Sequence, residues 1–227
     1  DDEFIALARG RQAVYVPTLT VFDGYRQVAV RHFEPHYPLA CVDSTTLARA
    51  RSTDSLPPPP DAAAIAFLAT PAEVSLELGP LFHARGVRVV DLSGAFRLLD
   101  PAAYPRWYGL EHGAPALLAQ ARYGLPELDR ASLRGATLVA NPGCYATACI
   151  LAGHPAVRSG WAERIVFDAK SGYSGAGRTP AYRNDPAHYT DNVIAYRIAD
   201  HAHIPEIRRG LAFPMVSFTP HVLPLFR

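Results

Sequence analysis

The sequence predicts an α/β chain, a parallel sheet with helices packed on it, followed by a smaller α+β second domain. Three observations carry this. Ala62 to Ala69 is a continuous apolar run with the length of a strand buried on both faces. Ala72 to Ala84 then places Val74, Leu78, Leu81 and Phe82 at helical spacing, and Val87 to Leu92 returns to a strand. After a further strand and helix, Trp161 to Ala169 (with Ile165, Val166 and Phe167) opens a new β segment. The first two give the β-α-β rhythm of a parallel sheet. We set the domain boundary between 143 and 144, giving domains 1–143 and 144–227.

Taken in order, the first 35 residues are atypical. Gln12 to Phe22 is rich in strand formers but interrupted by Pro17. A dinucleotide-binding, Rossmann-like domain opens with a strand, a glycine-rich turn and a helix whose N-terminus holds the pyrophosphate. Here that stretch contains only Gly10 and Gly24, and no G-x-G-x-x-G can be written. Tyr37 to Ser44 reads as a short strand. Its end either meets a ribose 2′-phosphate through Ser44, Thr45 and Thr46, or is a solvated turn of hydroxyl residues. Pro57 to Pro60 is a stiff connector.

Thr70-Pro71 ends the apolar run, with Pro71 suited to a first helical turn, and Gly86 closes the helix. Ligands bind such sheets beyond the carboxyl ends of the strands. Thr70, Pro71 and Ser93-Gly94 occupy those ends, the expected nicotinamide side of a cofactor crevice. Residues 100–128 are rich in Pro, Gly and aromatics, which suits either a loop over a cleft or ordinary core packing.

The stretch that carries chemistry is Val139-Ala-Asn-Pro-Gly-Cys-Tyr-Ala-Thr-Ala148. A strand ends, Asn141-Pro142-Gly143 breaks the chain, and Cys144 opens an apolar helix running to about Val157. A thiol there meets unpaired N–H groups and the positive end of a dipole, which favour the thiolate and an oxyanion on an attacked carbon. Phe167 to Ala169 leads directly into the glycine-rich loop Ser171-Gly-Tyr-Ser-Gly-Ala-Gly-Arg178, where a backbone can approach a ligand closely. His201-Ala-His203, read as extended, would put both rings on one surface. Metal binding lacks a third ligand of suitable spacing, so acid–base work is the better reading. Pro205-Glu-Ile207 starts a helix with Glu206 in its first turn, where its charge suits the dipole. Phe213 to Phe218 reads as a strand ended by Thr219-Pro-His221.

The octapeptide Asn141 to Ala148 is similar to the nucleophile motif of N-acetyl-gamma-glutamyl-phosphate reductases, within the semialdehyde dehydrogenase group. The resemblance extends through Asp91-Leu-Ser-Gly-Ala-Phe-Arg-Leu98, Trp107-Tyr-Gly109, Tyr123-Gly-Leu-Pro-Glu-Leu128, Ser171 to Arg178, His201 to Ile207 and Phe218-Thr-Pro-His221. These motifs cover about 61–227 and are specific in combination. They imply a Rossmann-like domain followed by a substrate domain of the glyceraldehyde-phosphate/semialdehyde dehydrogenase type. They imply an NADPH-dependent reduction of an acyl phosphate through a cysteine thioester, toward N-acetylglutamate semialdehyde, in arginine biosynthesis.

By that resemblance Cys144 is the nucleophile, with His203 as acid–base and His201 as the alternative. Ser44, Thr70, Pro71, Ser93, Asn141, Ser174, Gly175 and Ala176 meet the cofactor. Arg97, Ser171, Gly172 and Arg178 meet the substrate, where a guanidinium fork suits carboxylate or phosphate oxygens. Group members carry a glycine-rich turn near their start and continue past the position of Arg227. The departures imply a truncated second domain and a first turn that is genuinely divergent, read in an altered frame, or lost with function. A sibling acyl-phosphate reductase, with an aminoadipyl or carrier-linked substrate, a non-catalytic remnant and a thiol hydrolase are the competing readings. Homologous reductases imply a homo-oligomer.

Bulk numbers narrow the classes. The chain has 227 residues, 49% apolar and 19% charged, with net charge +1, so a nucleic-acid partner is not implied. No apolar run approaches the ~20 residues of a membrane span. Three cysteines without a C-x-x-C pair argue against a disulfide framework or zinc site and suit a reducing, cytoplasmic setting.

Overall fold

The computed structural model describes residues 13–16, 65–173 and 191–225. Readings placed on Ser44, on Pro57 to Pro60, and on Ser174, Gly175, Ala176 and Arg178 lie outside the described residues. The chain forms two compact units, one of residues 1–102 with 110–141 and one of 103–109 with 142–227.

The first unit holds a five-stranded parallel sheet. Its strands are β1 (Ala13–Val16), β2 (Ile65–Leu68), β3 (Arg88–Asp91), β4 (Arg122–Tyr123) and β5 (Leu138–Ala140), in the order β1-β2-β3-β5-β4. Val16 lies opposite Leu68, Leu68 opposite Asp91, and Asp91 opposite Ala140. That register sends the segments after Leu68, Asp91 and Ala140 out of one end of the sheet. Ala66, Leu68, Val89, Leu138 and Ala140 are buried, while the alternating Phe67, Val90 and Val139 are half-buried, so one face is covered more fully than the other.

Helix α1 (Ala72–Ala84) joins β2 to β3. Its buried face is Ser75, Leu78, Gly79 and Phe82, a set rotated from the expected one, since Leu81 is exposed. The rotation follows from Ser75, whose Oγ lies 2.7 Å from Thr70 Oγ1 and so has a partner inside. Pro71 stands one residue ahead of the helix, with ψ near the extended value, instead of inside its first turn. The region 100–128 is built of short pieces: a 3₁₀ turn at Pro101–Ala103, then α2 (Tyr104–Tyr108), α3 (Pro115–Leu118), β4 and α4 (Pro126–Asp129).

The second unit contains α5 (Cys144–Arg158), β6 (Ile165–Gly172), β7 (Ile194–Ala195), α6 (His203–Leu211) and β8 (Val216–Leu223). The sheet order is β6-β8-β7, with β6 parallel and β7 antiparallel to the central β8. Helices α5 and α6 pack closely. Gly210 sits so near Ile150 that any Cβ would overlap that side chain, and Gly153 faces Phe167 and Leu211. Ile150, Ile207 and Leu211 are buried there, each worth about 1.5–3 kcal/mol of transfer energy.

Three expectations are corrected. β8 does not stop at Thr219-Pro-His221 but runs through it to Leu223. Pro220 is tolerated because its carbonyl accepts from Tyr196 N at 3.1 Å, just where β7 has ended. Its missing N–H falls at the margin of that short pairing, where one bond fewer costs least. Helix α6 starts at His203 and not at Pro205. The segment His201 to His203 is consequently not extended, since Ala202 already has helical angles.

Candidate active site

In the first unit, the sheet edge carries several of the sequence-predicted residues. Thr70 is buried against Ser75. Ser93 donates from its main-chain N to Asp91 Oδ1 at 3.1 Å and from its hydroxyl to Asp91 Oδ2 at 3.0 Å. Asp91 is fully buried. Burial lifts its carboxyl above the usual range, against the hydrogen bonds from Ser93 and Ser75 and the charge of Arg97, which pull it down.

Arg97 is also buried, and its donors are used locally. Its Nε donates to Asn141 O at 2.8 Å and its Nη2 to Leu92 O at 2.8 Å. The guanidinium thus straps the segment after β3 to the segment after β5. Asn141 N in turn donates to Asp91 O at 2.8 Å. Thr70, Ser93 and Asn141 all stand at strand carboxyl ends, where ligands meet such sheets, and both donors of Ser93 are spent on Asp91. A pyrophosphate needs close backbone approach, and residues 17–23, which follow β1, contain no glycine.

The second unit brings Cys144, His201 and His203 together. They line a cavity of about 190 Å³ with Tyr145, Ser171, Gly172, Tyr196 and Val222. Cys144 is the first residue of α5 and exposed, whereas Pro142 and Gly143 behind it are buried. Thr147 N reaches back to Gly143 O at 2.8 Å, so the helix ladder begins immediately. The N–H groups of Cys144, Tyr145 and Ala146 have no acceptor within their own helix. Cys149, one turn on, is buried, and burial pushes its thiol up to about 12. Only one of the two described cysteines is thus placed to react.

The imidazole of His203 lies flush against Gly143. A Cβ at Gly143 would overlap Nε2 of that ring, and the backbone there is ordinary extended chain. Gly143 is required for space, not for conformation. His201 sits beside His203 with ring centroids 4.6 Å apart. Its Nδ1 accepts the main-chain N–H of His203 at 3.1 Å, which leaves its proton on Nε2 and caps the start of α6. Tyr145 packs edge-on to both rings at 6.1 Å and donates its hydroxyl to His221 O at 3.1 Å. Burial raises its phenol above the ordinary tyrosine value, with Tyr196 adding to the shift.

Glu206 was read only as a charge suited to a helix dipole. It is fully buried, and its Oε1 accepts Gly143 N at 2.7 Å. Its Oε2 lies 3.8 Å from His203 Nε2. The signal was present as His203-x-x-Glu206, an i,i+3 pair that shares a helix face once the helix begins at His203. Tyr145 and Tyr196, which line the cavity, were also missed, because aromatic residues alone do not distinguish a site from a core.

Comparison with known proteins bears on the family and the fold. A family model described as semialdehyde dehydrogenase, NAD binding domain, matches residues 40–136. One described as semialdehyde dehydrogenase, dimerisation domain, matches 144–227. The chain is similar to N-acetyl-gamma-glutamyl-phosphate reductases from Dehalococcoides mccartyi (47% identity over 170 residues, 72% of this chain and 50% of the relative) and Methanosphaera stadtmanae (45% over 171 residues, 72% and 48%). One from Bacillus cereus is 45% identical over 172 residues, 73% of this chain and 50% of the relative. The chain spans about half the length of the curated relatives it matches.

Among solved structures, it matches aspartate semialdehyde dehydrogenase II from Vibrio cholerae with TM-score 0.53 and 19% identity, over 73% of this chain and 53% of that one. Aspartate semialdehyde dehydrogenase from Francisella tularensis gives TM-score 0.52 and 11% identity, over 95% and 73%. These two speak for the fold. A parallel sheet followed by a unit that opens on a cysteine-headed helix, with both halves matched by models of one group, has one assignment: the chain belongs to the semialdehyde dehydrogenase family.

Proposed function

We propose that this chain carries the active site of an NADPH-dependent reductase that converts N-acetyl-gamma-glutamyl phosphate to N-acetylglutamate semialdehyde in arginine biosynthesis. The observation that supports it is the exposed thiol of Cys144 at a helix start, in one cavity with His201 and His203. The Cys144 sulfur attacks the acyl carbon, the C–O bond to phosphate breaks, and a thioester remains. N–H groups of the first turn of α5 hold the oxyanion. Gly143 N–H is not among them, because Glu206 already occupies it.

His203 exchanges the proton with the substrate oxygen. His201 has committed Nδ1 to the helix start and orients its neighbour. Ser171 and Gly172 line the cavity and meet the acyl chain, and Arg178 meets a carboxylate or phosphate. Arg97 acts on the substrate only indirectly, by strapping the segment that leads to Cys144. A bound nicotinamide cofactor supplies the hydride that takes the thioester to the aldehyde level. Thr70, Pro71, Ser93, Asn141, Ser174, Gly175 and Ala176 would hold its nicotinamide half and Ser44 a 2′-phosphate. No residue is assigned to the pyrophosphate. A cytoplasmic homo-oligomer is the form we expect.

The absence of glycine from residues 17–23 favours one second reading, in which the site acylates and hydrolyses without nicotinamide. Replacing Cys144 by Ser tests the main reading. Aldehyde formation from the acyl phosphate should fall by about 10³-fold or more, with unchanged thermal unfolding. Near-normal turnover in C144S would remove the sulfur from the mechanism.

A further inference from the structure

Glu206 does two things at once, and neither is explained by packing. It is fully buried on the first turn of α6. One carboxylate oxygen receives the N–H of the residue immediately before the nucleophile, at 2.7 Å. The other faces the Nε2 edge of the acid–base ring at 3.8 Å. A carboxylate taken out of water is costly unless such partners compensate it, and a hydrophobic residue would fill the same volume more cheaply. The two contacts lead to the turn that carries Cys144 and to the ring of His203. The same imidazole lies against Gly143, where no Cβ can stand. Gly143 therefore meets both the Glu206 carboxylate and the His203 ring.

We infer that Glu206 is the positioning residue of this site, tying the turn that carries Cys144 to the imidazole of His203 and supplying the negative charge that favours the protonated ring. The inference rests on the reading of Cys144 and His203 as nucleophile and acid–base group. An imidazolium formed when the thiol loses its proton is stabilised by an opposite charge a few ångströms away. The main-chain hydrogen bond to Gly143 fixes where the thiol sits when that happens. Glu206 touches neither substrate nor reacting atoms, so its effect falls on the rate of the chemical step rather than on substrate affinity.

Glu206→Gln separates the two contributions. The amide oxygen can still accept from Gly143 N–H, while the charge is gone. The measurement is the rate of Cys144 carbamidomethylation by iodoacetamide against pH, with kcat and KM for the acyl phosphate beside it. His201, Tyr145 and Tyr196, the other titratable groups lining the cavity, are the same in both proteins. E206Q should move the alkylation midpoint to higher pH by roughly half a unit or more, and lower kcat about tenfold or more with KM within about twofold. In a His203→Gln background the further change E206Q should leave the midpoint where it is. An alkylation profile and kcat equal to the parent's, or an equal shift with and without His203, overturn the inference.

Should E206Q fail to fold, ring-nitrogen NMR of the parent chain, with His203→Gln assigning the signal, gives the same answer. A His203 ring titrating above free histidine supports the charge partnership, and one titrating below it overturns it. Alkylation needs neither cofactor nor acyl phosphate. A parent chain with the coupling intact but no aldehyde product would sink the reductase reading alone.

Discussion

Gly143 shows how much of this site depends on a missing atom. Its backbone angles are open to any residue, yet a methyl group there would collide with the His203 ring. The nearest relief is rotation of that ring away from the cysteine. Gly143→Ala should therefore lower turnover by about 10²-fold or more, the cost of displacing a reacting group by about an ångström. Its effect on stability should stay near the ~1–3 kcal/mol of an overpacked position. Steady-state kinetics beside a denaturant titration checks this, and a fully active G143A would mean that the ring is not needed where it stands. Cys149 is the matching control. Buried and with its thiol pushed up to about 12, it should stay unlabelled under conditions that modify Cys144.

Among the elements, the loop between β3 and β4 is closed by a histidine that must stay neutral. His112 Nε2 donates to Ala95 O at 2.9 Å, and its Nδ1 accepts Ala114 N at 3.3 Å. Burial lowers its titration below the ordinary 6.5, against the hydrogen bond to Ala95. The unfolded chain takes up a proton near 6.5 while the folded ring resists it. The resulting stability is fully present above that value and is lost as pH falls through the lower folded one. The unfolding midpoint should drop as pH falls through and below about 6.5, and His112→Gln should flatten that part of the profile. An identical pH dependence in H112Q would contradict this.

The elements also differ in how legible they were. Helix α1 was readable to the residue because apolar spacing, Pro71 and Gly86 agreed, although its buried face was turned by the Thr70–Ser75 pair, which no periodicity carries. The start of α6 was misplaced because Pro205 is a familiar opener, while the cap is the ring of His201. The end of β8 was misplaced because Pro220 normally breaks a ladder.

Across the whole molecule, two units divide the work expected of the family. The parallel sheet gathers Thr70, Ser93 and Asn141 at one edge through its register alone. The second unit gathers Cys144, His201 and His203 from a helix start and the approach to another helix, far apart in sequence. The placement of Cys144 at a helix start was legible because a strand, a break and a helix follow one another there. The contact of Glu206 was not, because it exists only when α6 packs beside the turn at Gly143. No helix among the described residues is long and apolar enough to cross a membrane.

The central claim is that the Cys144 sulfur takes the acyl group from an acyl phosphate. Mass spectrometry of the intact chain, quenched in acid after mixing with N-acetyl-gamma-glutamyl phosphate and no cofactor, tests it most directly. The account predicts one N-acetylglutamyl group on the Cys144 peptide, released by hydroxylamine, with phosphate freed in equal amount and neither seen in C144S. Phosphate released as fast by C144S, or an acyl group found on another residue, would contradict it.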